Sequence, residues 1–217
     1  ILIHLAENSN RTRENQINQS TTIIKHLSSK GFKRIIYVSS VAVYGDKSLK
    51  PHKPNEKVFP HDNYSKYKIA CEKLINEKEG VVARMSNIYG PGMSENNVFS
   101  KIIKQISPNN SIKIWSDKPI RDFLWVEDAA DALVKMALGS EIGIFNVASG
   151  RSVSIKELIH IIVNTYGLKS DYSLELTKNI DKASTLAVDI SKTCKVFEWM
   201  PKKKLEDGIK ELLKRTG

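Results

Sequence analysis

Short, almost wholly apolar runs recur along this chain, separated by stretches with helical periodicity, and this constrains its fold more than any other feature. Ile1-Leu2-Ile3, Lys33-Arg34-Ile35-Ile36-Tyr37-Val38-Ser39, Val81-Val82-Ala83-Arg84-Met85 and Ile144-Phe145-Asn146-Val147 lack the polar–apolar alternation of a half-solvated strand. Strands of this kind must be covered on both faces, which is the condition of a parallel sheet between helical layers. The intervening stretches supply those layers. Glu14–Ser29 sets Ile17, Thr21, Ile24 and Leu27 at helical spacing before Gly31, and Tyr64–Glu79 stops at Gly80. Val126–Leu138 is amphipathic, with Ala129, Ala130, Leu133, Val134 and Ala137 predicted to face inward. The expected fold class is therefore α/β with a doubly wound parallel sheet.

Between Gly90 and Ser116 the alternation fails, and a smaller lobe is expected there, with a helix at Asn97–Ile106 and a strand at Ser111–Trp115. Ser154-Ile155-Lys156-Glu157 has the form of a capping box ahead of an apolar helix, and Leu205–Leu213 reads as a last amphipathic helix. Gly45 to Asn63 holds three prolines and little periodicity, which predicts a long surface loop of functional or lid-like character.

Net charge is +10, from 34 basic and 24 acidic residues. The lysines are spread along the chain, and Lys202-Lys203-Lys204 has no interleaved aromatic residues. Nucleic-acid binding is therefore not expected, and an anionic small substrate suits the charge better. No apolar run reaches membrane-spanning length, so no membrane partner is expected. Two cysteines are too few for a disulfide framework, and Cys71 is placed in the core; the expected location is the cytoplasm. The five histidines lack metal-ligand spacing, so no metal is expected. Ile1 already lies inside a core-type strand, which suggests a piece of a longer sequence.

The chemistry centres on Tyr64 and Lys68. Four apart on a helix, they share one face, and an ammonium beside a phenol favours the ionised phenol. Ser39-Ser40 ends the preceding strand. In open α/β sheets ligands bind at the carboxyl ends of strands, where Ser40, Ala6 and the Arg84–Gly90 turn all fall.

With Ser39-Ser40-Val41-Ala42-Val43-Tyr44-Gly45 and Tyr64-x-x-x-Lys68 joined to Asn87-Ile88-Tyr89-Gly90-Pro91, Arg121-Asp122-Phe123 and Phe145-Asn146-Val147-Ala148-Ser149-Gly150, the chain resembles the extended short-chain dehydrogenase/reductase family, in its nucleotide-sugar epimerase and dehydratase branch. The resemblance runs over essentially the whole chain. It implies a Rossmann-type sheet in residues 1–89 and a substrate-binding lobe at about 90–120 and 148–217, with 121–147 returning to the sheet. It implies NAD as cofactor and a nucleotide-diphosphate sugar as partner substrate. Tyr64 would be the base, Lys68 would lower its pKa and hold the nicotinamide ribose, and Ser40 would aim the reacting oxygen. Leu5, Ala6, Asn18 and Ser86 match cofactor-lining positions. Arg121 matches a diphosphate-pairing arginine, Asn87 and Asn97 match polar substrate ligands, and Trp115 matches an aromatic position beside the base. Glu14–Ser29 and Tyr64–Glu79 resemble the helices through which family members form homodimers.

Relatives that eliminate water resemble a Thr-Asp-Glu pattern where this chain has Val41 and Ala42, which cannot move protons. Epimerisation through a transient ketone is the remaining expectation, with dehydratase or reductase activity, or a non-catalytic nucleotide-binding sensor, as alternatives. The glycine-rich turn that seats the NAD pyrophosphate is absent from these residues, as is the acidic residue that follows it. By analogy, roughly 55–70 residues equivalent to the first βαβαβ half precede Ile1. Residues 1–217 alone are accordingly expected to bind NAD poorly; micromolar binding by calorimetry would contradict this.

Overall fold

A computed structural model describes residues 1–5, 16–46, 48, 50–77, 79–106, 111–167, 172–177 and 184–216. In chain order its elements are β1 (Leu2–His4), α1 (Gln16–Ser28), β2 (Ile35–Ser40), a 3₁₀ turn (Val41–Tyr44), α2 (Asn63–Asn76), β3 (Val81–Met85), β4 (Asn87–Tyr89) and α3 (Val98–Gln105). Then follow β5 (Ser111–Ile114), β6 (Ile120–Trp125), α4 (Val126–Leu138), β7 (Gly143–Val147), β8 (Ser152–Ser154), α5 (Ile155–Thr165), β9 (Ser173–Leu176), β10 (Thr185–Leu186), α6 (Ser191–Phe197) and α7 (Leu205–Thr216).

The main sheet has the order β1-β2-β3-β7, and all its pairs are parallel. Period-two alternation divides its side chains between two layers. On one face Ile35, Tyr37 and Val82 pack with Ile24 of α1 and with Cys71 and Ile75 of α2. On the other, Ile36, Val81, Ala83, Met85, Phe145 and Val147 pack with Ala129, Leu133 and Met136 of α4 and with Phe197 of α6. This is the expected doubly wound Rossmann-type sheet, with a lobe beside it built on β10-β6-β4, on β8 antiparallel to β6, and on the β5-β9 pair. The lobe core joins Phe99, Ile102, Trp125, Leu158, Ile159, Ile162 and Ile209.

Three local expectations need correction. Within 121–147, β7 joins the main sheet, but β6 pairs with β4, β8 and β10. An apolar strand can be covered equally well by either sheet, and only the pairing partners decide. On α4 the inward stripe is Ala129, Ala132, Leu133 and Met136, while Ala130 and Val134 are exposed. Small alanines give a helix little rotational preference, so the sheet chooses the phase. Finally, the described part of the 45–62 segment is pinned rather than lid-like. Phe59 N–H donates to the Val43 carbonyl at 3.0 Å, and His52 N–H to the Ala187 carbonyl at 2.9 Å. Asn146 Nδ2 donates to the His52 carbonyl at 2.9 Å, and Arg84 Nη1 to the Pro54 carbonyl at 3.3 Å. The partners come from Val43, Arg84, Asn146 and Ala187, too distant in sequence to be read as one cluster.

Gly208 shows how tightly α7 lies on the lobe: a Cβ there would collide with the Tyr89 ring and hydroxyl, and Tyr89 is itself buried. Gly208→Ala should therefore destabilise by about 1–3 kcal/mol through overpacking, outweighing a helix-propensity gain of about 1 kcal/mol. Urea titration checks this; an unchanged or raised midpoint would show that α7 can move away.

Candidate active site

The site is built where β2 turns into the following chain. Ser40 caps the 3₁₀ turn: its Oγ accepts the Ala42 N–H at 3.2 Å. A hydroxyl has one donor and two acceptor positions, so this contact holds the oxygen while its hydrogen can still be donated outward. Capping and substrate contact are compatible roles for Ser40.

The helix that faces this turn has its own cap. Asp62 Oδ1 accepts the Ser65 N–H at 2.7 Å, and Ser65 Oγ returns to the Asp62 N–H at 3.3 Å, a capping box. This fixes Tyr64 in the first turn of α2 and Lys68 in the second. Lys68 is 4% exposed, and its Nζ donates to the Val38 carbonyl at 2.7 Å. The ammonium lies 4.9 Å from the Tyr37 ring centroid and 5.7 Å from that of Tyr64, within cation–π range. The Tyr64 ring in turn meets Tyr67 edge-on, centroids 5.3 Å apart.

Ser40, Tyr64 and Lys68 line one groove of about 310 Å³, together with Leu5, Ser86, Tyr67, Met85 and Ile88. Ser86 Oγ donates to Asp122 Oδ1 at 2.8 Å, and Ser149 N–H and Oγ donate to the same carboxylate at 2.8 Å each. Burial pushes the Asp122 carboxyl above its ordinary range, against the pull of these hydrogen bonds.

A second groove, of about 530 Å³, gathers Asn87, Trp115 and Arg121 with Asn96, Lys101, Lys113 and Thr177. Trp115 is 70% exposed at this groove, so it is not part of the lobe core. Arg121 is held by Ser184: its Nη1 donates to the carbonyl at 2.7 Å and its Nη2 to Oγ at 2.6 Å. Asn87 Nδ2 donates to the Asp122 carbonyl at 3.1 Å. Lys113 pairs with Glu175 at 2.6 Å on the exposed face of the β5-β9 pair.

Two sequence-expected residues stand apart from both grooves. Asn97 is the N-cap of α3, its side-chain oxygen accepting the Ser100 N–H at 2.7 Å. Asn18 is exposed on α1 and lines neither groove. Ala6 lies outside the described residues. Sequence reading passed over Lys101 and Lys113, because in a lysine-rich chain a lysine carries no signal by itself. It also passed over the Asp122 carboxylate that holds Ser86 and Ser149 together, although Asp122 stands inside a motif already singled out.

A parallel Rossmann-type sheet with a serine at a strand end, and a tyrosine and a buried lysine of the following helix in the same groove, defines the class of protein. Residues 4–148 match the model of the NAD dependent epimerase/dehydratase family, and the chain belongs to that family. It is similar to a UDP-glucuronate 4-epimerase of Thermodesulfobacterium geofontis, 26% identical over 206 residues, covering 91% of this chain and 63% of the relative. It is also similar to a dTDP-4-dehydro-6-deoxyglucose reductase of Escherichia coli, 27% identical over 202 residues, covering 88% of this chain and 63% of that protein. The chain thus spans under two thirds of the length of these curated relatives. Among solved structures it resembles the UDP-N-acetylglucosamine 4-epimerase of Methanobrevibacter ruminantium in complex with UDP-N-acetylmuramic acid. The TM-score there is 0.86 at 27% identity, covering 98% of this chain and 74% of the other. Among the described residues no helix is long and apolar enough to cross a membrane, and no cluster of His, Cys, Asp and Glu could hold a metal ion.

Proposed function

We propose that this chain carries the catalytic residues of an NAD-dependent epimerase that inverts a carbon of a nucleotide-diphosphate sugar through a transient ketone. The observation that carries the reading is the shared groove of Ser40, Tyr64 and Lys68, with a second groove holding Asn87, Trp115 and Arg121. The first groove suits the nicotinamide-ribose end of NAD. Lys68 offers ammonium donors for ribose hydroxyls, and Leu5, Met85 and Ile88 offer apolar walls for a flat ring. Bound NAD supplies reversible hydride acceptance, which lets a sugar carbon pass through a ketone. Tyr64 takes the sugar hydroxyl proton and later returns it; Ser40 donates a hydrogen bond to the reacting oxygen. Lys68 favours the ionised phenol by its charge. Arg121, with Lys101 around the same groove, supplies positive charge for a diphosphate.

Val41 supports epimerisation over water elimination: it is buried among Val43, Tyr44, Ala148 and Val188, with no proton to give. A reductase is the second reading, favoured by the similarity to the Escherichia coli reductase. We further propose a homodimer through the outer faces of α1 and α2, where Ile23 is half exposed. Incubating the full-length protein with NAD and UDP-sugars separates the reactions. An equilibrium mixture of two epimers is expected, whereas an accumulating 4-keto-6-deoxy sugar would overturn the epimerase reading.

A further inference from the structure

Glu72 is the next residue after Tyr64 and Lys68 on the same face of α2, and it is one of the most deeply buried charges in the chain, 2% exposed. Its carboxylate holds three elements together. Arg84 of β3, 3% exposed, donates to it in a fork, Nη2 to Oε2 at 2.6 Å and Nε to Oε1 at 3.0 Å. Ser39 of β2 donates its hydroxyl to the same Oε1. Ser39 directly precedes Ser40. The helix that carries the base is therefore tied, two turns beyond it, to the strand that carries Ser40. Arg84 extends the tie outward: its guanidinium lies 4.7 Å from the Tyr44 ring centroid, and Tyr44 ends the turn that Ser40 caps.

A bidentate arginine–carboxylate pair fixes direction as well as distance. Here it resists rotation of α2 about its axis and sliding along β2, the two motions that would change how Tyr64 meets an oxygen held by Ser40. A misplacement near 1 Å can cost about 10²-fold in rate. A buried ion pair adds little stability over apolar side chains of similar volume, so stability alone gives weak reason for placing one here. We propose that Glu72, clamped by Arg84 and Ser39, is a positioning residue that sets the phase of α2 and thereby aims Tyr64 at the substrate oxygen held by Ser40. The proposal rests on Tyr64 being the base.

The test uses the full-length protein, a UDP-hexose with NAD as probe, and four variants: Glu72→Gln, Glu72→Met/Arg84→Met, Ser39→Ala and Tyr64→Phe. Glu72→Gln should lower the thermal midpoint by roughly 10 °C, because it strands a buried guanidinium. The paired methionine variant should return the midpoint to within about 5 °C of wild type, while kcat stays down about 10²-fold and KM moves less than about threefold. Ser39→Ala removes one of the donors to a carboxylate that Arg84 still holds, so it should lower the midpoint by only about 5 °C while kcat falls about tenfold. A purely structural role predicts that activity returns with stability, so wild-type kcat in both the paired variant and Ser39→Ala overturns the clamp. Tyr64→Phe separates the two failures. If it stays active, the base assignment falls and the clamp with it; if it is inactive while the paired variant and Ser39→Ala both keep wild-type kcat, only the clamp falls.

Discussion

Tyr64→Phe should lower turnover of a UDP-sugar by about 10³-fold, because on the proposed reading the phenol oxygen accepts and returns the substrate proton. The ring stays, so its edge-on contact with Tyr67 and its place in the groove are kept, and the thermal midpoint should be unchanged. NAD affinity, measured by calorimetry on the same full-length preparation, should change less than about threefold, since the Lys68–Val38 contact does not involve the phenol oxygen. A variant retaining half of wild-type turnover would remove Tyr64 from the reaction and favour a sensor role for the fold.

Asp122→Ala is expected to destabilise by about 3 kcal/mol or more. The carboxylate accepts from Ser86 Oγ, Ser149 N–H and Ser149 Oγ, and each buried donor left unpaired costs about 1–3 kcal/mol. The charge should behave differently from the acceptor. Burial holds the folded carboxyl pKa above its ordinary value of 3.8, so between that value and the folded pKa the native state binds more protons than the unfolded state. Stability contributed by Asp122 is thus complete below its unfolded pKa and is lost as pH rises through the folded one. Asp122→Asn keeps an acceptor without the charge. The stability of wild type minus that of Asp122→Asn should therefore fall as pH rises from about 3.8 through the folded pKa, then level off. Guanidinium melts over that range measure it; a difference that rose with pH would mean the hydrogen bonds outweigh burial. Because Ser86 lines the groove and loses its carboxylate partner, the alanine variant should also weaken cofactor binding.

The described part of the 45–62 segment is held in place from other elements of the fold. Its ties to Val43, Arg84, Asn146 and Ala187 come from parts of the chain that also carry the strand ends around the site. Such a segment reads as a loop because proline-rich sequence reports the absence of periodicity, while its order comes from partners on other elements, at Val43, Arg84, Asn146 and Ala187.

By itself the sequence determined the sheet and the shared helix face of the proposed reacting pair. Apolar runs of strand length admit only a doubly covered position, and Tyr64 and Lys68 share a helix face through periodicity alone. Both are local properties. What only the tertiary structure decided depends on which distant elements meet. It drew β6 into the lobe sheet, turned α4 toward Ala132 and Met136, used Asn97 as a helix cap, and left Asn18 outside both grooves. It also joined Ser39, Glu72 and Arg84 into one buried clamp. Serine, glutamate and arginine are common surface residues, and nothing in their spacing marks them as partners. Burial makes their pairing obligatory, and burial is a property of the assembled fold.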